Sequence, residues 1–477
     1  VDIHRALETR LEKEESRGSM ASSLATAYVA ELRSFLHDLA WFLRRARLLH
    51  AARALLADAQ VPLVRAQAAL RGGDLAAARS HVDEAALAAR ELAAAVVDAF
   101  DALIDNGLLP KANLVSDYLP LALSLIESKT ECLANRWAFS LLAAVRKLPA
   151  SALEQLVEPL AATVEVAQHL ELRILGCRLH GAVVARLGEV GKSVGSGVLD
   201  DVAASALLLC QDTDHEVRRA MALELDRIGR ALGASRTVAA VVPELASLLN
   251  DERDEVVAAG LDAAAALTRN GFLPSAAVAN SLLAPILDMY ASASPALELS
   301  LAWLLGPFGV QLEPLLDESG RQTLVRAFVG YASARPPFGD HPGVALLQPP
   351  RSLLAPTIDG RALPSLLEYT VEPRGLVPLA VAFNSPAVFA TFGGVHKHGL
   401  VICNVLDKLT QSEEECVRVT LARALPVVGE CIADRAAPGS ESSVAMARAV
   451  RDVSLVLLSD SRPEVAGAAT AVFSFSG

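Results

Sequence analysis

Between residues 200 and 275 the chain writes one unit twice. AASALLLCQDTDHEVRRAMALELDRIGRALG ends at Gly233, and VVPELASLLNDERDEVVAAGLDAAAALTRNG ends at Gly271. Each copy has an apolar helix pattern, a short acidic turn, a second apolar helix pattern and a closing glycine. Val217 and Val256 hold the same place in the unit, 39 residues apart. One such pair cannot bury its apolar faces alone, so the units must stack into an array. Function in such an array lies on an extended surface rather than in a pocket, which favours a scaffold over an enzyme.

The period is that of HEAT-type repeats, and the predicted fold class is all-α, a HEAT-repeat α-solenoid. Five pairs are read from about residue 107: Asn113–Glu127 with Thr130–Leu148, Ala150–Val166 with His169–Leu187, the two copies above, and Ser275–Tyr290 with Pro295–Val310. Pro295 is placed in a first helical turn. Arg136, Arg173 and Arg218 share an early position in successive second helices; Val257 and Ser300 replace the arginine in the next two. Repeat character returns in GLVICNVLDKLTQSEEECVRVTLARALPVVGECIAD, where Arg418 follows the acidic turn, and again near Asp460, where Ala466 stands in its place.

Three other regions differ. Residues 1–106 read as a long helical hairpin. Tyr28, Leu32, Phe35, Leu39 and Phe42 stripe a first helix running to about Asp58, and Asp74 is the expected N-cap of a second, striped by Leu75, Ala78, Val82, Ala89, Val96, Phe100 and Leu103. The hairpin serves either as a cap or as a docking arm. Arg44, Arg45, Arg47 and Arg53 read as a dipole-matched solvated face, or as a groove for an acidic partner. Residues 336–375, rich in proline, read as an irregular insertion with a tight turn at Asp359-Gly360. The uncharged run Leu376–Val395 contains Pro378, Pro386 and Gly393-Gly394, and reads as a broken buried helix pair rather than a membrane span. The expected organisation is thus a hairpin over 1–106, repeats over 107–335, the insertion over 336–375, and further repeats over 376–477.

Composition agrees with packed helices: 52% of residues are hydrophobic and only 4% aromatic. The formal charge of −12 opposes binding to phosphate backbones, so nucleic acid is not an expected partner, and neither is a membrane. The six cysteines form no CxxC pair and read as reduced thiols in the cytoplasm. No secretory signal is visible. The chain does not open on Met and stops at FSFSG, as a segment of a longer protein would.

Motifs for chemistry are missing. Gly191-Lys192-Ser193 lacks the earlier glycine of a phosphate loop, Arg186 standing there, and it follows a helix rather than a strand. His396 and His398 read as a solvated loop with no carboxylate or cysteine beside them in sequence. No catalytic residue, cofactor or metal is expected. Asp214 and Arg218 read as a helix cap and an inter-repeat pair.

DTDHEVRRAMALELDRIGRALG and EEECVRVTLARALPVVGECIAD resemble HEAT repeats of the scaffold subunit of protein phosphatase 2A and its relatives. VPLAVAFNSPAVFATFGG is similar to a Phe-Asn-x-Pro-Ala motif of regulatory subunits 1 and 4 of protein phosphatase 4, with subunit 4 closer in layout; here it is Phe383, Asn384, Pro386 and Ala387. The resemblance covers roughly 107–477, and the insertion and the missing arginines depart from it. It implies a non-catalytic subunit that holds a phosphatase catalytic subunit and directs it to partners. It also implies a partner-binding ridge at the turns within repeats: Asp212, Asp214, His215 and Glu216, then Asp251, Glu252 and Asp254, then Glu413 and Glu414. The Phe-Asn-x-Pro motif is expected to pack a helix, with Asn384 satisfying backbone groups freed by Pro386. The alternative is a structural scaffold of cytoskeletal or axonemal proteins, placing the chain in the cilium, with no phosphatase bound. An importin-like transport receptor needs a tryptophan–asparagine ladder, a spacing that Trp41, Trp137 and Trp303 do not show.

Overall fold

The computed structural model describes residues 29–30, 33, 49–106, 110–126, 131–165, 168–191, 197–292, 294, 296–332, 357–358, 361–362, 376–394, 396–435 and 441–473. The Tyr28–Phe42 stripe and Arg44, Arg45 and Arg47 therefore lie outside the described residues. Two compact units form, Val1–Leu209 and Cys210–Gly477.

The first unit opens on a hairpin of α1 (Leu49–Arg71) and α2 (Leu75–Asp105). Helix α1 continues beyond Asp58, the expected end of the first long helix. Leu63 and Ala66 are buried beyond that point, and Pro62 is carried inside the helix. The chain turns at Gly72-Gly73, and the Asp74 carboxylate accepts from the Ala77 N–H at 3.0 Å, capping α2. Then come the pairs α3 (Leu119–Ile126) with α4 (Glu131–Ala144) and α5 (Val157–Thr163) with α6 (Leu170–Val190), followed by α7 (Val198–Leu207). Helices α2, α4 and α6 pack in succession as one layer; α3 lies on α4, and α5 and α7 lie on α6.

Phe100 of α2 joins Tyr118 and Trp137, with ring centroids 5.5 and 6.3 Å away. Below the rings the Tyr118 hydroxyl donates to Ser140 Oγ (2.7 Å), which donates to Asp101 (2.5 Å). The hairpin is therefore seated on the first repeat by an aromatic cluster whose Tyr118 hydroxyl is satisfied, while the buried Trp137 Nε1 has no hydrogen-bond partner.

The second unit contains α8 (His215–Ala222) and α9 (Leu225–Leu232), α10 (Val242–Leu248) with α11 (Asp254–Arg269), and α12 (Ser275–Ser281) and α13 (Leu283–Ser292) with α14 (Glu298–Leu312). The predicted single helix after Asp214 is split where buried Glu224 is held by Arg227 at 2.8 Å. Helix α14 starts at Glu298, and Pro295, the expected first-turn proline, lies outside the described residues. Gly233 and Gly271 close their repeats at φ of 78° and 75°, a left-handed conformation that glycine reaches without a Cβ penalty.

Helix α15 (Glu318–Tyr331) is an element the repeat pattern left unassigned. It is capped by Asp317, which accepts from the Gly320 N–H at 2.7 Å. Within residues 336–375, β1 (Thr357–Ile358) and β2 (Arg361–Ala362) pair antiparallel, Ile358 opposite Arg361. Then follow α16 (Leu376–Phe392), α17 (His396–Thr410), α18 (Glu415–Arg435), α19 (Glu441–Leu458) and α20 (Pro463–Phe473).

Helices α8, α11, α14, α16, α18 and α20 pack in succession as one layer, and α13, α15, α17 and α19 as the other. In that register α15 and α16 are the two helices of a sixth repeat, and the proline-rich segment replaces the short turn between them. The uncharged run is not broken at its prolines: α16 passes through Pro386, and the break comes at Gly393-Gly394. His396 opens α17 and His398 is buried, so the pair does not form a solvated loop. Among the described residues no helix is long and apolar enough to cross a membrane.

Candidate functional site

Four turns within repeats of the second unit share one construction. A side chain at the first turn position accepts the backbone N–H two residues on. Asp212 takes Asp214 at 2.8 Å, Asp251 takes Arg253 at 2.9 Å, Ser412 takes Glu414 at 3.3 Å and Asp460 takes Arg462 at 2.9 Å. Such side-chain turns fix the chain direction between helices.

Six residues after that position stands the repeat arginine. Arg218 donates to the carbonyls of Asp212 and Thr213 in its own turn, and bidentately to Asp251 in the next repeat, at 2.7 and 2.9 Å. Arg418 repeats this, donating to the carbonyls of Ser412 and Glu413 and to Asp460 at 2.7 and 3.4 Å. The hydrogen bond from Arg218 holds the Asp251 carboxyl below the ordinary carboxylate range, and Arg418 does the same to Asp460. Asp251 in turn raises the Arg218 pKa. Where Val257 replaces the arginine, a hydroxyl–carboxylate hydrogen bond takes the place of the ion pair: Ser294 Oγ donates to Asp254 at 2.8 Å.

This construction sorts the acidic ridge. Asp212 holds its own turn. Asp214 caps α8 by accepting from the Glu216 N–H at 2.9 Å, and His215 lies within 4 Å of both Asp214 and Glu216. Asp251 is half of an inter-repeat ion pair, and Asp254 is tied to Ser294. Glu414 lies partly buried in its turn. Glu252 and Glu413 stand one place after Asp251 and Ser412, at equivalent turn positions, and both are exposed. The structure thus gives the ridge residues different jobs, which the shared acidity of eight of the nine in sequence did not reveal.

The Phe-Asn-x-Pro-Ala segment builds a close seam between α14 and α16. Each helix carries an internal proline, Pro307 and Pro386. A proline lacks the N–H that would bond the carbonyl four residues earlier, which frees Trp303 O and Ala382 O. Ser385 Oγ donates to Ala382 O at 2.7 Å. Asn384 Nδ2 donates to Trp303 O at 3.1 Å, to Ala302 O at 2.8 Å and to Ala380 O at 3.0 Å. Asn384 therefore serves the neighbouring helix's proline, and Ser385 serves Pro386; sequence reasoning assigned that role to Asn384 and overlooked Ser385. A Cβ at Gly306 would fall 2.3 Å from Asn384 Oδ1 and 3.2 Å from Ala387 Cβ, so glycine is required for this approach. Phe383 meets Trp303 edge-on at 5.7 Å.

Among the described residues no group of three or more His, Cys, Asp or Glu is placed to hold a metal ion. The cysteines at 177, 210, 403 and 416 are buried and form no disulfide, the Cys403 thiol pushed up to about 11 by burial. Nothing in this set is poised for nucleophilic chemistry.

The stacked pairs, side-chain turns and arginine links define an all-α HEAT-type solenoid protein. No family model matches the chain. It is similar to serine/threonine-protein phosphatase 4 regulatory subunit 4 of Mus musculus, 30% identical over 140 residues, and to that of Homo sapiens, 26% identical over 140 residues. Each match covers 29% of this chain and 15% of the relative's length. A crystal structure of an engineered protein aligns with a TM-score of 0.40 and 16% identity, covering 92% of this chain and 98% of that one.

Proposed function

We propose that this chain is a non-catalytic regulatory scaffold that binds a serine/threonine protein phosphatase catalytic subunit and directs it to partners. The observation that carries this reading is the 140-residue similarity to phosphatase 4 regulatory subunits, set on a fold of stacked helix pairs. The partner surface is the ridge of turns within repeats. Its partner-reading groups are Glu252 and Glu413, exposed at equivalent places in their turns. Asp251 and Asp254 shape the turn that presents Glu252, Ser412 the turn that presents Glu413, and Asp212 and Asp214 the corresponding turn one repeat before Asp251.

The test is affinity purification of the tagged full chain at low salt, read by mass spectrometry. A near-stoichiometric phosphatase catalytic subunit supports the reading, and Glu252→Lys with Glu413→Lys should then cut its recovery several-fold while the helical fold is kept. Recovery of cytoskeletal or axonemal proteins without a phosphatase overturns it. That outcome favours a structural scaffold of a cilium, a reading supported by the hairpin of 23- and 31-residue helices, which suits lateral docking.

A further inference from the structure

A cavity of about 390 Å³ opens in the first unit, lined by Glu154, Gln155, Glu158, His180, Val202 and Ser205 among others. Its volume lies within the range of ligand pockets. His180 is 1% exposed. Its Nδ1 lies 2.8 Å from the carbonyl of Gly176 and, because a carbonyl only accepts, Nδ1 carries the proton. Nε2 is then left as an acceptor, and the ring's hydrogen bond among the described residues is the one at Nδ1. Glu154 already has a polar interaction of its own, whereas Glu158 is exposed and has none. Apart from His180 the lining residues carry no basic group; Gln155 and Ser205 can donate or accept, and Glu158 brings a carboxylate that none of the other lining residues neutralises.

We propose that this cavity is a receptor for a basic side chain, an arginine or lysine presented by a segment of a partner protein, with Glu158 pairing its charge at the rim and His180 Nε2 accepting from it at the floor. Burial lowers the His180 pKa, which keeps the imidazole neutral and its acceptor available. An acidic ligand would meet Glu158 and an acceptor lone pair and is excluded. An apolar ligand would strand Nε2 without a donor. The site is remote in sequence from the acidic turns of the second unit and independent of the phosphatase reading.

The experiment uses the full chain with ¹³C-labelled histidine. Two probe peptides are titrated, Ac-Gly-Arg-Gly-NH₂ and its neutral counterpart with citrulline in place of arginine. The His180 resonance is assigned by its loss in His180→Gln. Should that variant fail to fold, Ser205→Ala assigns it by perturbing the histidine that shares its cavity. The expected result is a saturable shift of His180 with the arginine peptide, none with the citrulline peptide, and an affinity several-fold weaker in Glu158→Gln. No saturable shift up to about 10 mM peptide, a concentration that would reveal even a weak single-residue contact, overturns the proposal. Equal shifts from both peptides, or an affinity unchanged in Glu158→Gln, overturn it as well.

Discussion

Arg218 and Asp251 are 13% and 9% exposed, so their bidentate pair is shielded more than a surface ion pair. Removing one partner strands the other, and Asp251→Ala should cost about 1–3 kcal/mol in urea denaturation. Arg218→Lys should recover only part of that stability, because an ammonium cannot form the fork. The pH dependence follows from the depressed carboxyls of Asp251 and Asp460. A lowered folded-state pKa contributes stability that is complete above the unfolded value, about 3.9, and is lost as pH falls through the folded value. The wild type should therefore lose stability below about pH 4 more steeply than Asp251→Asn/Asp460→Asn, as compared by urea midpoints at neutral and acid pH. A flat comparison would remove the link from the stability account. At the α14–α16 seam, Asn384→Ala should cost about 1–3 kcal/mol, since the Trp303 carbonyl, already freed by Pro307, loses its remaining donor. Gly306→Ala should cost about 1–3 kcal/mol in the wild type and clearly less beside Asn384→Ala, because the nearest atoms to the new methyl belong to Asn384. An additive double mutant would show that the seam relaxes elsewhere.

At the scale of elements, an aromatic joint seats the hairpin on the first repeat. Phe100, Tyr118 and Trp137 are all within 1% of full burial. Trp137→Ala should destabilise the first unit by about 3–5 kcal/mol through the cavity it leaves. Amide exchange in α2 and α4 should rise with it, while α16 and α18 keep their protection. Uniform loss of protection along the whole chain would contradict such local coupling. The asymmetry belongs to repeat stacks, where each element answers only to its neighbours.

For the molecule as a whole, the sixth repeat is the informative one. Its helices α15 and α16 take their places in the two layers although the chain between them runs from Tyr331 to Leu376. Elsewhere the same connection is a few residues, as between Thr410 and Glu415. Loop length costs little once the helices on either side are packed. Replacing residues 336–375 with a short Gly-Ser turn should therefore leave the far-ultraviolet circular dichroism unchanged and shift Tm by only a few degrees. Collapse of the helical signal would make the segment part of the fold. If binding of a phosphatase catalytic subunit is lost while the fold is kept, the insertion joins the ridge of turns as partner surface.

The period of the repeat, the closing glycines and the Asp74 cap could be read directly because each is a local signal: a spacing, a left-handed backbone position, a side chain three residues from its donor. Arg218 and Arg418 could be placed by register, and with them the expectation that turn carboxylates meet arginines of neighbouring repeats. Three features depended on residues far apart in sequence. The partner of α16 was hidden because an insertion separates it from α15, and only layer packing pairs them. The division of work between Asn384 and Ser385 required Pro307, some 80 residues earlier, to be set beside Pro386. The cavity at His180 exists only where α6 meets the elements around Glu158 and Val202. Local chemistry is written in neighbouring residues; the relief of a freed carbonyl or the orientation of an imidazole nitrogen depends on what tertiary packing brings against it.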